Sequence, residues 1–271
     1  MQESIIDKLL EQCRDGNPIS QAPALQELVD LKASVAVPVI LDLLKSPDEG
    51  IRFCAAEALG DLGVKEIESV GPALINLLAD PEGLVRSGAT DSLGILGYKP
   101  ARKPVESLLL TDPDPMVRAS AAETLGDLGD LDAVESLKLS IQDADETVRA
   151  YAANSLGLLG TPDLLPQLQA YIESESSLKV KAELLAAKYR LGAAEDINRL
   201  LNLLENADED LATVILNIFT DLTERKIPSA IAVDATKICE VLALVSQRFL
   251  MLAGQVQNLR GQFKRLESRS N

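Results

Sequence analysis

Acidic and basic side chains recur at fixed separations along this 271-residue chain. Asp80 and Arg86, Asp112 and Arg118, Asp143 and Arg149, and Glu175 and Lys181 each stand six positions apart. A second acidic series, Glu57, Asp91 and Glu123, recurs five positions beyond the basic residue. Carboxylates could do general acid and base work or hold a divalent cation. Catalysis, however, needs one acid and one base kept in unlike environments, and these groups repeat in like surroundings. A cation site needs a ligand loop, and the spacing here is far longer. The first series therefore reads as an inter-repeat ladder that ties turns to helices. The sequence has no histidine, which removes Ser/His/Asp and Cys/His catalysis and every His-ligated metal. Cys13, Cys54 and Cys239 lie far apart with no Cys-x-x-Cys pair, and three thiols fall short of the usual four for an iron-sulfur cluster. No catalytic residue, metal ligand or bound cofactor is expected.

The elements that position these residues follow from composition and periodicity. Hydrophobic residues make up 46% of the chain but aromatics only 3%, with no tryptophan, so the core must be Leu, Val, Ile and Ala, which favours helices. The net charge of -16 repels a polyanion and excludes nucleic acid as a partner. The segment Met-Gln-Glu-Ser-Ile-Ile-Asp lacks a basic stretch or apolar core, and no run approaches the length of a membrane span. A soluble, cytoplasmic protein is the expectation.

One phrase returns along the chain. Ile51-Arg52 leads to Leu59-Gly60-Asp61-Leu62-Gly63, Val85-Arg86 to Leu93-Gly94-Ile95-Leu96-Gly97, Val117-Arg118 to Leu125-Gly126-Asp127-Leu128-Gly129, and Val148-Arg149 to Leu156-Gly157-Leu158-Leu159-Gly160. The basic residue at 52, 86, 118, 149 and 181 gives spacings of 34, 32, 31 and 32, the period of stacked helical hairpins. The first helix of each unit starts at or near Pro38, Pro72, Pro104 or Pro166, where a missing N–H costs nothing. Asp114-Pro115 reads as cap and first residue of a second helix, whose Val117, Ala121, Leu125 and Leu128 form one apolar stripe. A closing glycine ends it. The fold class is thus all-α, a right-handed α-solenoid of about six helical hairpins over residues 1–223. Residues 1–34 are an opening cap with Gln21 at the basic position, and residues 195–223 a degraded last repeat.

The repeat DPDxxVRxxAAxxLGxLG resembles the HEAT-like repeats of the phycobilisome lyase and degradation-factor group, over about residues 20–220. The resemblance implies a scaffold for protein partners in phycobilisome or photosynthetic protein maturation or turnover, in a cyanobacterial setting. The group also includes bilin lyase or isomerase subunits and a scaffold that accompanies A-type iron-sulfur carriers. Phycobiliproteins and iron-sulfur carriers are therefore the implied partners, and a bilin or an iron-sulfur cluster the implied alternative cofactors. A metal-dependent HEAT-like hydroxylase shares the repeat but uses His-Glu pairs, which this sequence lacks.

Positions one and five beyond the basic residue share a helix face. They give a lane of Phe53, Ser87, Ala119 and Ala150 edged by Glu57, Asp91, Glu123 and Asn154, with Asp61 and Asp127 at its margin. In HEAT-like solenoids second helices line the groove, so by resemblance this lane binds a basic or amide-rich protein segment; a solvated face is the alternative. The lane holds little aromatic area for a tetrapyrrole. A non-catalytic adaptor is the leading reading, and a bilin lyase or isomerase subunit or an iron-sulfur scaffold the alternatives.

After Pro228 the pattern changes. Ile231, Ala235, Ile238, Leu242, Val245, Phe249, Leu252, Val256, Leu259, Phe263 and Leu266 alternate at spacings of four and three, a heptad seam. A single helix from Ser229 to Ser268 would reach about 60 Å. From Glu224 onward eight basic residues, Arg269 among them, outnumber four acidic ones, against 18 and 38 in residues 1–223. Residues 224–271 are thus expected as a long basic helix that either self-associates through residues 229–268 or folds back as a cap. Its weakly basic polar face and Gly254 and Gly261 argue against a membrane-surface helix.

Overall fold

The computed structural model describes the backbone of residues 2–270 and the side chains of residues 3–268; the side chain of Arg269 lies outside the described residues. The described residues are helical with no strand, and none of their helices is long and apolar enough to cross a membrane. Two compact units divide the chain, residues 1–136 and residues 137–271.

In the first unit, hairpins pair α1 (Gln2–Arg14) with α2 (Pro18–Asp30), α3 (Val37–Leu43) with α4 (Glu49–Leu62), α5 (Ile67–Leu77) with α6 (Gly83–Ile95), and α7 (Arg102–Thr111) with α8 (Pro115–Leu128). Helix α9 (Val134–Ser140) spans the division. In the second unit α10 (Glu146–Leu159) is followed by α11 (Leu165–Ser174) with α12 (Leu178–Arg190), α13 (Asp196–Glu205) with α14 (Glu209–Glu224), and α15 (Ile231–Arg248) with α16 (Ala253–Ser270). The repeated phrase marks only the copies at Arg52, Arg86, Arg118 and Arg149, because the outermost copies have lost their arginines and glycines.

Except for α6, whose cap residue Glu82 makes no such bond, the second helices of the repeats begin where a side chain satisfies an otherwise orphaned N–H. Asp48 accepts from the Ile51 amide, Asp114 from Met116, Asp145 from Thr147 and Val148, Ser177 from Val180, and Asp208 from Leu211. Each such cap contributes about 1 kcal/mol. Pro38 and Pro166 fall at the start of α3 and α11. Pro72 differs: α5 starts at Ile67 and carries the proline inside it. The preceding turn at residues 63–66 runs straight into α5, and Val70, within the added turn, is fully buried.

Side by side, α2, α4, α6 and α8 form one layer in the first unit, and α10, α12 and α14 another in the second. The inner glycines of the Leu-Gly-x-Leu-Gly phrases at Gly60, Gly94 and Gly157 permit this close stacking. A Cβ at Gly60 would lie 3.0 Å from the Ser92 hydroxyl, and one at Gly157 2.8 Å from the Ala187 Cα. Hydroxyls seal the same seams: Ser92 donates to the Ala56 carbonyl at 2.9 Å and Thr124 to the Thr90 carbonyl at 3.0 Å. The outer glycine has another task at Gly129, whose φ of 69° lets it close α8 in the left-handed region.

The heptad seam predicts one helix, but residues 231–270 form two. The chain turns at Phe249 in extended conformation, and α15 and α16 pack on each other and on α13 and α14. Ile231, Ala235, Ile238, Leu242, Val245, Leu252, Val256, Leu259 and Phe263 are all buried there. A straight 60 Å rod would have left that seam in water, at about 25 cal/mol for each Å² of apolar surface. Folding back buries it against the chain's own repeats, with the Phe263 ring edge-on to Phe219 at 5.9 Å. The seam is therefore occupied within the chain, and residues 224–271 belong to the second unit.

Gly157→Ala should destabilise the protein by about 1–3 kcal/mol, because the clash is with backbone. Gly261→Ala, where a Cβ meets open space in a helix, should stabilise it by about 0.5–1 kcal/mol. Chemical denaturation of the two variants checks the pair.

Candidate functional site

Arginines at the start of the second helices and acids two residues before the caps build a ladder whose register differs from the one the spacing suggests. Arg52, Arg86 and Arg149 each grip the acid of the following repeat. Arg52 Nε and Nη2 donate to Asp80 at 2.7 and 2.9 Å, Arg86 to Asp112 at 2.8 Å through both nitrogens, and Arg149 to Glu175 at 2.8 and 3.2 Å. The residue six positions earlier contributes its main-chain carbonyl instead: Nη1 of Arg52, Arg86, Arg118 and Arg149 donates to the carbonyls of Ser46, Asp80, Asp112 and Asp143 at 2.9 Å. The acid is bound twice over, since its carboxylate also accepts the N–H of the capping residue, 3.0 Å for Asp80 to Glu82 and 2.9 Å for Asp112 to Asp114 and Asp143 to Asp145. The Arg52 guanidinium holds the Asp80 carboxyl below its ordinary range, aided by the Glu82 amide against some desolvation. At Gln21 the arginine is missing, and a buried amide donates to the Cys13 carbonyl at 2.8 Å.

The lane edged by carboxylates lies on the second-helix layer of the first unit. Glu57 and Asp61 on α4, Asp91 on α6 and Asp127 on α8 are exposed, and Glu123 is half-buried. Solvent reaches the tips, yet the surrounding helices remove enough water to push the Glu57 carboxyl up, with Asp91 and Asp61 adding to the rise. Desolvation likewise raises Asp91, against a hydrogen bond from Ser120 that lowers it, and Asp127 adds repulsion. Asp61, Glu57, Asp91 and Asp127 are thus linked by mutual repulsion across three helices. Beside them, Gln26, Val29, Cys54, Glu57 and Asp61 line a cavity of about 140 Å³ between α2 and α4.

The floor of the lane is not what the spacing suggests. Ser87 and Ala119 are buried, and Phe53 and Ala150 half-buried. The Phe53 ring fills the space over Gly88, where an added Cβ would sit 2.7 Å from it, and the Ser87 and Ser120 hydroxyls bond at 2.8 Å. These positions join neighbouring helices and leave the carboxylates as the accessible part. In the second unit Asn154 behaves differently again: its amide donates to Asp221 at 2.8 Å and to Glu183 at 3.4 Å.

Asp221 also takes Arg190, whose side chain is fully buried with Nε and Nη1 lacking a partner among the described residues. Lys226 donates to the Gly157 and Gly160 carbonyls at 3.0 and 2.9 Å, capping the end of α10. The repeat pattern gave no signal for this network. Arg190 sits where the other copies carry Asp61, Ile95, Asp127 and Leu158, and Lys226 follows the last copy. The thiols are poor nucleophiles. Burial pushes Cys13 up to about 11, and desolvation raises Cys54 and Cys239. Among the described residues, no three His, Cys, Asp or Glu side chains gather as a metal site.

The pattern that defines HEAT repeats matches residues 6–94, 71–143 and 136–217. No curated protein matches the sequence. A structure of the complex of CpcE and CpcF of phycocyanin lyase from Nostoc sp. PCC7120 is similar, with a TM-score of 0.64 and 20% identity over 85% of this chain and 94% of that one. The Escherichia coli YibA structure has a TM-score of 0.56 and 17% identity over 96% and 92%. At these identities the likeness is one of fold.

The two sets of carboxylates should respond to acid in opposite ways. Asp80, held low when folded, contributes stability that is present above its unfolded value near about 3.9 and lost as pH falls through the lower folded value. Asp80→Ala should cost about 2 kcal/mol at pH 7, a penalty that shrinks in strong acid. Asp91, held high when folded, costs stability when ionised, and that cost is relieved as pH falls through its folded value. Asp91→Asn should raise the melting temperature at pH 7 by about 1–2 °C, the scale of a surface substitution, and the gain should shrink towards pH 4. Thermal melts across this pH range check both signs.

Proposed function

Because the chain belongs to the HEAT-repeat family, we propose that it is a non-catalytic scaffold whose second-helix layer in residues 1–136 takes a basic or amide-rich segment of a partner protein. What carries the reading is the row of exposed carboxylates on adjacent helices, Glu57 and Asp61 on α4, Asp91 on α6 and Asp127 on α8, where neighbouring charge adds to the desolvation that raises Glu57 and Asp91. Like charges pressed together on a folded surface cost stability, and a cationic partner turns that cost into binding energy and steers its own approach. Exposed Ile95 stands on α6 at the position that is Asp61 on α4 and Asp127 on α8, so the segment carries an apolar residue among its basic ones. The repeated units act as equivalent contact points, in keeping with the absence of an unlike acid and base pair.

For the partner's identity, we infer a phycobiliprotein subunit, in a setting of phycobilisome maturation or turnover. The resemblance of the repeat phrase to the phycobilisome lyase and degradation-factor group supports this, as does the fold shared with the CpcE and CpcF structure. Mixing the full chain with purified phycobiliprotein subunits should give co-elution that weakens as salt rises, since exposed charges are screened beyond about 8 Å at physiological ionic strength. Combining Glu57→Gln, Asp91→Asn and Glu123→Gln should reduce the affinity at least about tenfold, for a loss of roughly 1.4 kcal/mol, without lowering the melting temperature. Absence of co-elution removes this partner. Binding that ignores both salt and the triple substitution removes the lane.

A further inference from the structure

The ladder stops at Lys181, and the place where its next rung would stand is open. Counting from the caps, the acid position two residues before the cap is Asp80, Asp112, Asp143 and Glu175, and before Asp208 it is Asn206. The Asn206 amide turns back to the Asn202 carbonyl at 2.8 Å. No carboxylate pairs with Lys181 among the described residues.

One repeat earlier the equivalent gap is closed from within. Arg149 and Glu175 meet there beside the Tyr171 ring, around a cavity of about 270 Å³. At Lys181 the cavity grows to about 360 Å³, with Ile172, Leu185 and Leu203 as apolar walls and Lys181, Arg199 and Asn202 as polar ones. Arg199 is fixed by Asp196 at 2.9 Å, and the same carboxylate serves Lys188 at 2.8 Å. One acid shared by two cations leaves the pocket positive, in a chain of net charge -16.

We propose that this pocket between α11, α12 and α13 binds an acidic side chain of another polypeptide, together with an adjoining apolar residue. The carboxylate takes the place at Lys181 that Glu175 takes at Arg149, and the apolar neighbour covers Ile172, Leu185 and Leu203. Charge complementarity selects the head, and the apolar walls select what flanks it. The pocket uses none of the lane residues in 1–136, so each of the two sites stands or falls on its own test.

A synthetic peptide of residues 107–116, which carries Leu108, Leu109, Leu110 and the ladder acid Asp112, is a suitable probe. Titrated into the isotope-labelled full chain, it should shift the NMR signals of Lys181, Leu185, Asn202 and Leu203. Lys181→Gln should weaken the peptide at least about tenfold, and the peptide with Asp112→Asn should lose as much. Lys181→Arg should bind within about threefold of the parent chain, which keeps a folding defect from imitating the result. No localised shifts at millimolar peptide, or equal affinity for the Lys181→Gln chain, would overturn the proposal.

Discussion

Arg52, Arg86 and Arg149, at the heads of second helices, are each bound on both sides, and the stacking within each unit depends on that clamp. One nitrogen takes the carbonyl of its own turn, and two others take the carboxylate of the next turn, which in turn accepts its own cap N–H. Charge-assisted, forked contacts of this kind are the strong ones. The side chains are nearly removed from water, with 12% exposure at Arg86 and 3% at Asp112, so a missing partner would leave a buried charge rather than merely lose a contact. Helix start and repeat stacking are thereby the same event. A turn that fails to cap its helix also fails to hold the repeat before it, which is why the acid, the cap and the basic residue keep fixed offsets while the exposed residues between them drift.

Clamp and glycine geometry were the parts most legible in the sequence. The spacing of Arg52, Arg86, Arg118 and Arg149, the cap at Asp114 and the role of Gly129 follow from local rules, and local rules act within a few residues. What the spacing could not give is which neighbour a charge chooses. Asp80 is six residues from Arg86 and twenty-eight from Arg52, and only stacking decides in favour of the farther one. The heptad seam failed for a related reason: its periodicity specifies an apolar stripe, and a stripe is satisfied as well by the chain's own α13 and α14 as by another copy. Nothing at Arg248–Leu252 is a helix breaker in composition. The turn there comes from the surface available to cover, with Arg248 reaching the Glu205 carbonyl at 3.1 Å and lying 4.8 Å over the Phe249 ring.

The candidate lane was half legible. That Glu57, Asp91 and Glu123 share a face follows from helical geometry, and the same geometry puts the residues one position beyond the arginine on that face without showing how far they are covered. They pack inward because helices that approach within glycine distance leave no gap for them. Gly88 receives the Phe53 ring and Ser87 meets Ser120. The Arg190 and Lys226 network was illegible, since it lies where the repeat pattern has already decayed and joins residues more than sixty positions apart.

Two kinds of carboxylate therefore coexist in one repeat, eleven positions apart, as with Asp80 and Asp91. Asp80, Asp112 and Glu175, before the caps, are held below the usual carboxylate range by guanidinium and amide donors, whereas Glu57 and Asp91 are raised by desolvation first and then by neighbouring carboxylates, Asp91 and Asp61 for Glu57 and Asp127 for Asp91. A chain under no constraint but stability would place neutral or basic residues in that lane, as it places Asn154 against Asp221 in the second unit. Repulsion that folding does not relieve is instead available to a ligand, because differential interaction is the only means by which a partner gains affinity over water. Within residues 1–136 the clamps from Arg52 to Asp80 and from Arg86 to Asp112 tie α4 and α6 to the turns that follow them, so the spacing between the lane's carboxylates is set by helix stacking rather than by side-chain flexibility.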